Sequence, residues 1–231
     1  MMNRFLFPRW TNKFVPALGI FALCGAAYAG VLFLGATDDF TLNPGYQPTQ
    51  PIPFSHKLHA GELKMDCRYC HVNVDKGAQA TVPPTSKCIN CHSPIGADGA
   101  PQYAAVHPAS EKLRVLHESW ETGLSVPWVR IHRLPDFVFF DHSAHVNRGV
   151  SCVTCHGRID TMEKVYQAKE LSMAWCVDCH RHPDEHIRPV EFVTKLDWEP
   201  AEGEGTRAEI GKRLREEKGI HPRDNCAVCH R

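Results

Sequence analysis

The chain has 231 residues with 26 basic and 26 acidic side chains, so its formal charge is zero and no basic excess points to nucleic acid or to an acidic substrate. Its 11 cysteines and 15 histidines are too many for packing alone at this length. They call for disulfides, metal or haem.

In chain order, residues 1–13 carry Arg4, Arg9 and Lys13 and read as a short cytoplasmic N-terminus. Residues 14–36, FVPALGIFALCGAAYAGVLFLGA, run without a charge for long enough to cross a hydrocarbon core of about 30 Å, and predict one transmembrane helix. Asp38 and Asp39 follow it, so everything beyond residue 37 is expected on the periplasmic side of a bacterial inner membrane. Ala27-Tyr28-Ala29 has the small-residue pattern of a leader cleavage site, the alternative to a retained anchor, but VLFLGA carries the apolar run beyond it. Cys24 sits inside the span as an ordinary apolar-facing residue. Residues 37–53, rich in Pro, Thr, Gln and Gly, predict an extended linker.

The other ten cysteines fall into five identical frames within residues 54–231: CRYCH (67–71), CINCH (88–92), CVTCH (152–156), CVDCH (176–180) and CAVCH (226–230). Random placement at this composition gives about 0.03 such frames, so five reflect one repeated chemistry. Two thiols three positions apart can form thioethers to both vinyl groups of one haem, and the adjacent histidine then meets the iron. Five covalently bound haem c groups follow, tethered by Cys67, Cys70, Cys88, Cys91, Cys152, Cys155, Cys176, Cys179, Cys226 and Cys229, with His71, His92, His156, His180 and His230 as proximal ligands. A zinc site has no need of a histidine after every second cysteine. Disulfides within CxxC loops would be strained and would leave those histidines unexplained.

A frame fills one of two axial positions. Phe54-x-His56-x-x-His59 stands before the first frame and Phe140-x-His142-x-x-His145 before the third, each followed by two frames, so the chain repeats a two-haem module over residues 54–92 and 140–180. Histidines three apart point in similar but not identical directions and suit two neighbouring haems. The expected distal ligands are His56 for the first frame, His59 for the second, His142 for the third and His145 for the fourth. The fifth haem, in residues 181–231, has no such figure; His107, His117, His132, His182, His186, His221, Met162 and Met173 are candidates, His132 being favoured and Met173 its rival. A methionine there would raise that haem's potential.

The expected fold is mainly α with much irregular structure, a haem-packed domain in which Pro and Gly break the chain into turns and short helices. Helices are predicted near 109–121, with Leu113, Leu116 and Trp120 on one face, and at 207–218, opened by the capping box Thr206-x-x-Glu209 and stopped at Gly219. The charges of EIGKRLREEK read as a solvated face, with Ile210 and Leu214 docking it. No long alternating strand is expected.

The FxHxxH figure with its CxxCH pairs resembles class III multihaem cytochromes, and the cytochrome c7 type in particular. At chain scale, one span, five frames and the segments WVRIHRLPDFVFFDHSAHV, CVTCHG and LSMAWCVDCHRHP resemble the pentahaem subunit of bacterial alternative complex III. That resemblance implies partners: an iron–sulfur protein related to molybdopterin oxidoreductases, quinol-binding membrane subunits and a monohaem cytochrome c. It implies relay of electrons from quinol rather than catalysis by the chain itself. Two rival readings are a stand-alone NapC/NrfH-like quinol dehydrogenase, which the thirty residues between span and first frame disfavour, and a haem enzyme, which requires an iron with an open face.

Overall fold

The computed structural model describes residue 8, residues 10–37 and residues 42–230. Arg4, Arg9, Asp38 and Asp39, which flank the predicted span, lie outside the described residues. The chain divides into two compact units, Met1–Asn43 and Pro44–Arg231.

In the first unit, helix α1 spans Thr11–Thr37. Its most apolar 18-residue stretch has a mean hydropathy of 2.1 and buries none of its side chains within the protein. At about 1.5 Å per residue α1 is long enough to cross a bilayer. The helix begins three residues before the predicted apolar run, because Thr11, Asn12 and Lys13 can continue the backbone ladder outside the hydrocarbon.

The second unit has no strand among the described residues, only isolated bridges such as His92 with Ala105 and Val150 with Ile187. Its helices are short: α2 (Cys67–Cys70), α3 (Thr85–Ile89), α4 (Arg114–Thr122), α5 (His142–Val146), α6 (Cys152–His156), α7 (Met173–Arg181), α8 (Arg207–Glu217) and α9 (Cys226–Cys229). This is the mainly α, largely irregular architecture that the sequence predicts.

The helix predicted at 109–121 is a 3₁₀ turn, Glu111–Leu113, running into α4. Gly123, at φ 72°, ends it by taking the left-handed turn that carries no penalty for glycine. Leu116 is buried with Ile52 and Ile89, and Leu113 and Trp120 pack around them. Helix α8 opens as its sequence predicts: the Thr206 hydroxyl accepts the Glu209 amide at 3.2 Å, and the Glu209 carboxylate accepts the Thr206 amide at 2.7 Å. One residue departs from the solvated-face reading of this helix. Arg215 reaches Asp184 at 2.5 Å and clamps α8 to the 3₁₀ turn Asp184–His186. Gly211 permits that approach, since a Cβ there would fall 1.7 Å from the Asp184 carbonyl oxygen.

Of the segment that reads as a linker, residues 44–53 belong to the second unit and are held there. Within the second unit, Gly45 and Tyr46 exchange backbone hydrogen bonds with Gln167, and Gln50 donates to the Val129 carbonyl at 2.8 Å while accepting its amide at 2.9 Å. Twelve apolar side chains are buried among the described residues. Six of them form two small separate clusters rather than the one contiguous core usual for a domain of this size.

Candidate functional site

In four frames the two cysteines lie on one helix, which brings residues three apart to one side, and in the second Cys88 lies on α3 while Cys91 follows it in a turn. The turn is closed by the following histidine, whose amide bonds to the first cysteine's carbonyl at 2.9 Å for His71, His92 and His230. At the first frame Asp66 caps the turn, accepting the Arg68 amide at 2.8 Å while its other oxygen accepts the Thr194 hydroxyl at 2.7 Å.

The two FxHxxH figures have matching geometry although the first lies on a single π turn (Lys57–Glu62) and the second on α5. Phe54 stacks on His59 at 4.4 Å and meets His56 edge-on at 4.9 Å; Phe140 stacks on His145 at 4.7 Å and meets His142 edge-on at 4.8 Å. The phenylalanine is thus a wedge that fixes both imidazoles. The recurrence of Phe signals it in the sequence, but its role needs the ring geometry.

Three histidines from these figures face frame histidines: His59 and His92 with ring centres 6.2 Å apart, His142 and His156 at 6.4 Å, and His145 and His180 at 6.1 Å. Two imidazoles opposed across one metal, each bonded at about 2 Å and with its nitrogen about 1.1 Å from the ring centre, would have centres about 6.2 Å apart. The residues present therefore fit axial ligation of a haem iron. His56 lies in the field of His71, and its Nδ1 is buried without a hydrogen-bond partner.

Most of these rings hold Nδ1 against a backbone carbonyl: His59 to Ser55, His71 to Thr81, His92 to Val106, His142 to Ala78, His145 to Asp141 and His180 to Arg223, at 2.6 to 2.8 Å. A proton fixed on Nδ1 leaves Nε2 with its lone pair free for a metal. Burial keeps His56, His145 and His156 neutral, as ligation requires. It lowers His156 to about 3, with His132 and His142 adding to the effect, and His56 to about 4, with His71 next in weight. His145 is lowered as well, chiefly by burial.

The sulfurs reveal how the frames adjoin. The Cys67 and Cys152 thiols share a hydrogen bond, which raises Cys67 and lowers Cys152. Burial raises Cys88, and Cys70 adds to it. Burial pushes Cys155 up to about 12, with Cys179 and Cys176 contributing. Burial also raises Cys176, with Cys229 next. In space the frames thus follow the order second, first, third, fourth, fifth.

The junction between first and third frames is reciprocal. Ser143 donates its amide to Gly77 at 3.2 Å, and Lys57, its counterpart in the first module, donates to Met162 at 3.0 Å. Asn147 donates to the Asp75 carbonyl at 2.9 Å, while its counterpart Gly61 approaches the Asp160 carbonyl so closely that a Cβ would lie 2.2 Å from the oxygen. Each module leans on the loop behind the other's first frame.

The fifth frame lacks an opposed ring of this kind among the described contacts. Phe137 stacks on His230 at 5.7 Å, and Phe139 donates its amide to the Cys229 carbonyl. His132, favoured from the sequence for this haem, stands instead against His156, with ring centres 4.4 Å apart. Met173 is 70% exposed, whereas Met162 is buried beside Gly157. His182, His186 and His221 line, with His180, a cavity of about 720 Å³. His117 donates through Nε2 to the His92 carbonyl at 3.0 Å, and His107 stands outside these groupings at φ 54°.

Residues 37–119 match the model of the class III cytochrome c family, and residues 138–231 that of cytochrome c7 and related cytochrome c. The first match contains frames one and two and the second frames three to five. Both are multihaem cytochrome families, and haem c held by the frame cysteines is the cofactor they indicate. A subunit described as menaquinone reductase, multiheme cytochrome c subunit, from Nitratidesulfovibrio vulgaris, is 33% identical over 152 residues, or 65% of this chain. The match spans 60% of that relative's length.

Proposed function

We propose that this chain is a membrane-anchored pentahaem cytochrome c that relays electrons within a quinol-oxidising respiratory complex of the alternative complex III kind. The observation that carries the reading is the set of three histidine pairs at 6.1 to 6.4 Å, each joining an FxHxxH ring to a frame ring. A haem held between two imidazoles stores and passes single electrons and offers substrate no free position.

The chain's own residues then have distinct tasks. The ten frame cysteines tether the five haems. His71, His92, His156, His180 and His230 are proximal, and His56, His59, His142 and His145 close the first, second, third and fourth irons respectively. The backbone carbonyls at Nδ1 hold six of these rings, His59, His71, His92, His142, His145 and His180, in one tautomer. Phe54 and Phe140 hold the paired rings apart. The relay follows the spatial order of the frames, with the second and fifth as its ends. Helix α1 anchors the haem domain on the periplasmic side of the inner membrane. Its partners are an iron–sulfur protein, quinol-binding membrane subunits and a monohaem cytochrome c.

The relative's printed name supports a link to menaquinone and also favours a second reading, electron delivery to the quinone instead of from it. The test is purification from native membranes with the partner chains attached. Five haems per chain, little carbon monoxide binding after reduction, and haem reduction by menaquinol only in the assembled complex support relay from quinol. Menaquinone reduction by the prereduced complex, without the converse, establishes the second direction. Zinc in place of pigment ends both.

A further inference from the structure

His156 is held differently from the other frame rings, and resting on the haem reading above, the geometry points to His132 as a positioning residue that tunes the third haem through it. His132 Nε2 lies 3.3 Å from His156 Nδ1, with the ring planes at 79°. Ring centres 4.4 Å apart are too close for a metal between the two imidazoles, which needs about 6.2 Å. The opposite side of His156 faces His142 at 6.4 Å, the separation that does fit.

The direction of the hydrogen bond follows. With Nε2 of His156 committed to iron, its proton is on Nδ1, so His156 donates and His132 accepts through Nε2. The His132 backbone is fixed by Arg130, whose Nε donates to the His132 carbonyl at 3.1 Å.

His71 is the counterpart of His156 across the reciprocal junction, and it gives Nδ1 to the Thr81 carbonyl at 2.7 Å. A carbonyl acceptor cannot be changed by substituting a side chain; the His132 acceptor can. This difference separates the first and third haems, which otherwise occupy equivalent places. His132 also lies between the two matched segments, 37–119 and 138–231, so neither family match covers it. An acceptor at Nδ1 makes a ligating imidazole more electron-donating and favours the oxidised iron.

The test is redox titration of the full-length holoprotein, followed by optical and electron paramagnetic resonance spectra, for the wild type, His132→Leu and His132→Gln. In His132→Leu all haems stay low-spin, and one component is reduced with an equilibrium constant raised about tenfold, an upward shift of about 59 mV. His132→Gln, which retains an acceptor oxygen, recovers most of the shift. Unchanged potentials in both variants would overturn the inference. A new high-spin haem would also overturn it, by making His132 an axial ligand. Should His132→Leu assemble no pigment, His132→Phe, a ring without an acceptor, takes its place: wild-type spin states and an upward shift confined to one component support the inference, and any other pattern rejects it. Absence of haem from the wild type would instead remove the underlying relay reading.

Discussion

Replacing His59 by alanine tests whether one segment ligates two haems. The ring stacks on Phe54 at 4.4 Å, holds the Ser55 carbonyl at 2.8 Å, and faces His92 at 6.2 Å. Losing the stacking contact costs about 0.5–1.5 kcal/mol, and losing the hydrogen bond about 1 kcal/mol. The total of about 2 kcal/mol lowers the thermal midpoint by roughly 4–8 °C in a unit of this size, too little to unfold it. The spectroscopic effect is larger: the second haem becomes high-spin and binds carbon monoxide when reduced, while the first, closed by His56, stays low-spin. Combining His59→Ala with Cys88→Ala and Cys91→Ala removes the affected haem, so the high-spin signal vanishes. Persistence of that signal in the combined variant would refute the assignment, because the opened iron would then belong to another frame.

Removing the first frame's haem by Cys67→Ala and Cys70→Ala is expected to isolate the second from the other three, whereas Cys88→Ala and Cys91→Ala leaves four in rapid exchange. Stopped-flow reduction reads this as a slow fraction in the first variant alone, and a slow fraction in the second variant would restore chain order. Gly211→Ala forces a methyl against the Asp184 carbonyl, 1.7 Å from its ideal position; overpacking of this kind costs about 1–3 kcal/mol, visible as a lower denaturation midpoint with unchanged haem spectra. Intact mass of the purified protein is expected to include α1. A mature chain beginning after Ala29 would show a removed leader, and a leader-fused 44–231 chain is expected in the soluble fraction with its pigment.

Much of the fold was legible because its determinants are local. The capping box at Thr206 and Glu209, the apolar face of Leu113, Leu116 and Trp120, and the uninterrupted span of α1 each declare themselves within one helix. The frames were legible for the same reason: CxxCH is a single turn. Arg215 was not, since its partner Asp184 lies 31 residues away and nothing in EIGKRLREEK separates it from its solvated neighbours. His132, assigned to the fifth haem from its place in the chain, stands with its ring against His156 for a related cause. Proximity in sequence to the second module says that it is near haem, but not which face of which ring it meets.

The order of the frames shows the same limit from the opposite side. A tandem repeat suggests successive modules joined end to start, which would place the second frame beside the third. Here the first cysteines of the two modules meet instead, Cys67 with Cys152, and each His segment donates to the loop behind the other module's first frame. Such reciprocal contacts are self-complementary, as in a two-fold interface between identical chains. They need only one favourable surface, which a repeated module already has twice. The second frame then adjoins the first, where Cys70 acts on Cys88, and the fourth adjoins the fifth, where Cys229 acts on Cys176. The path from end to end is thus a consequence of how two similar modules pair, and the fifth frame extends it by one step beyond the pair.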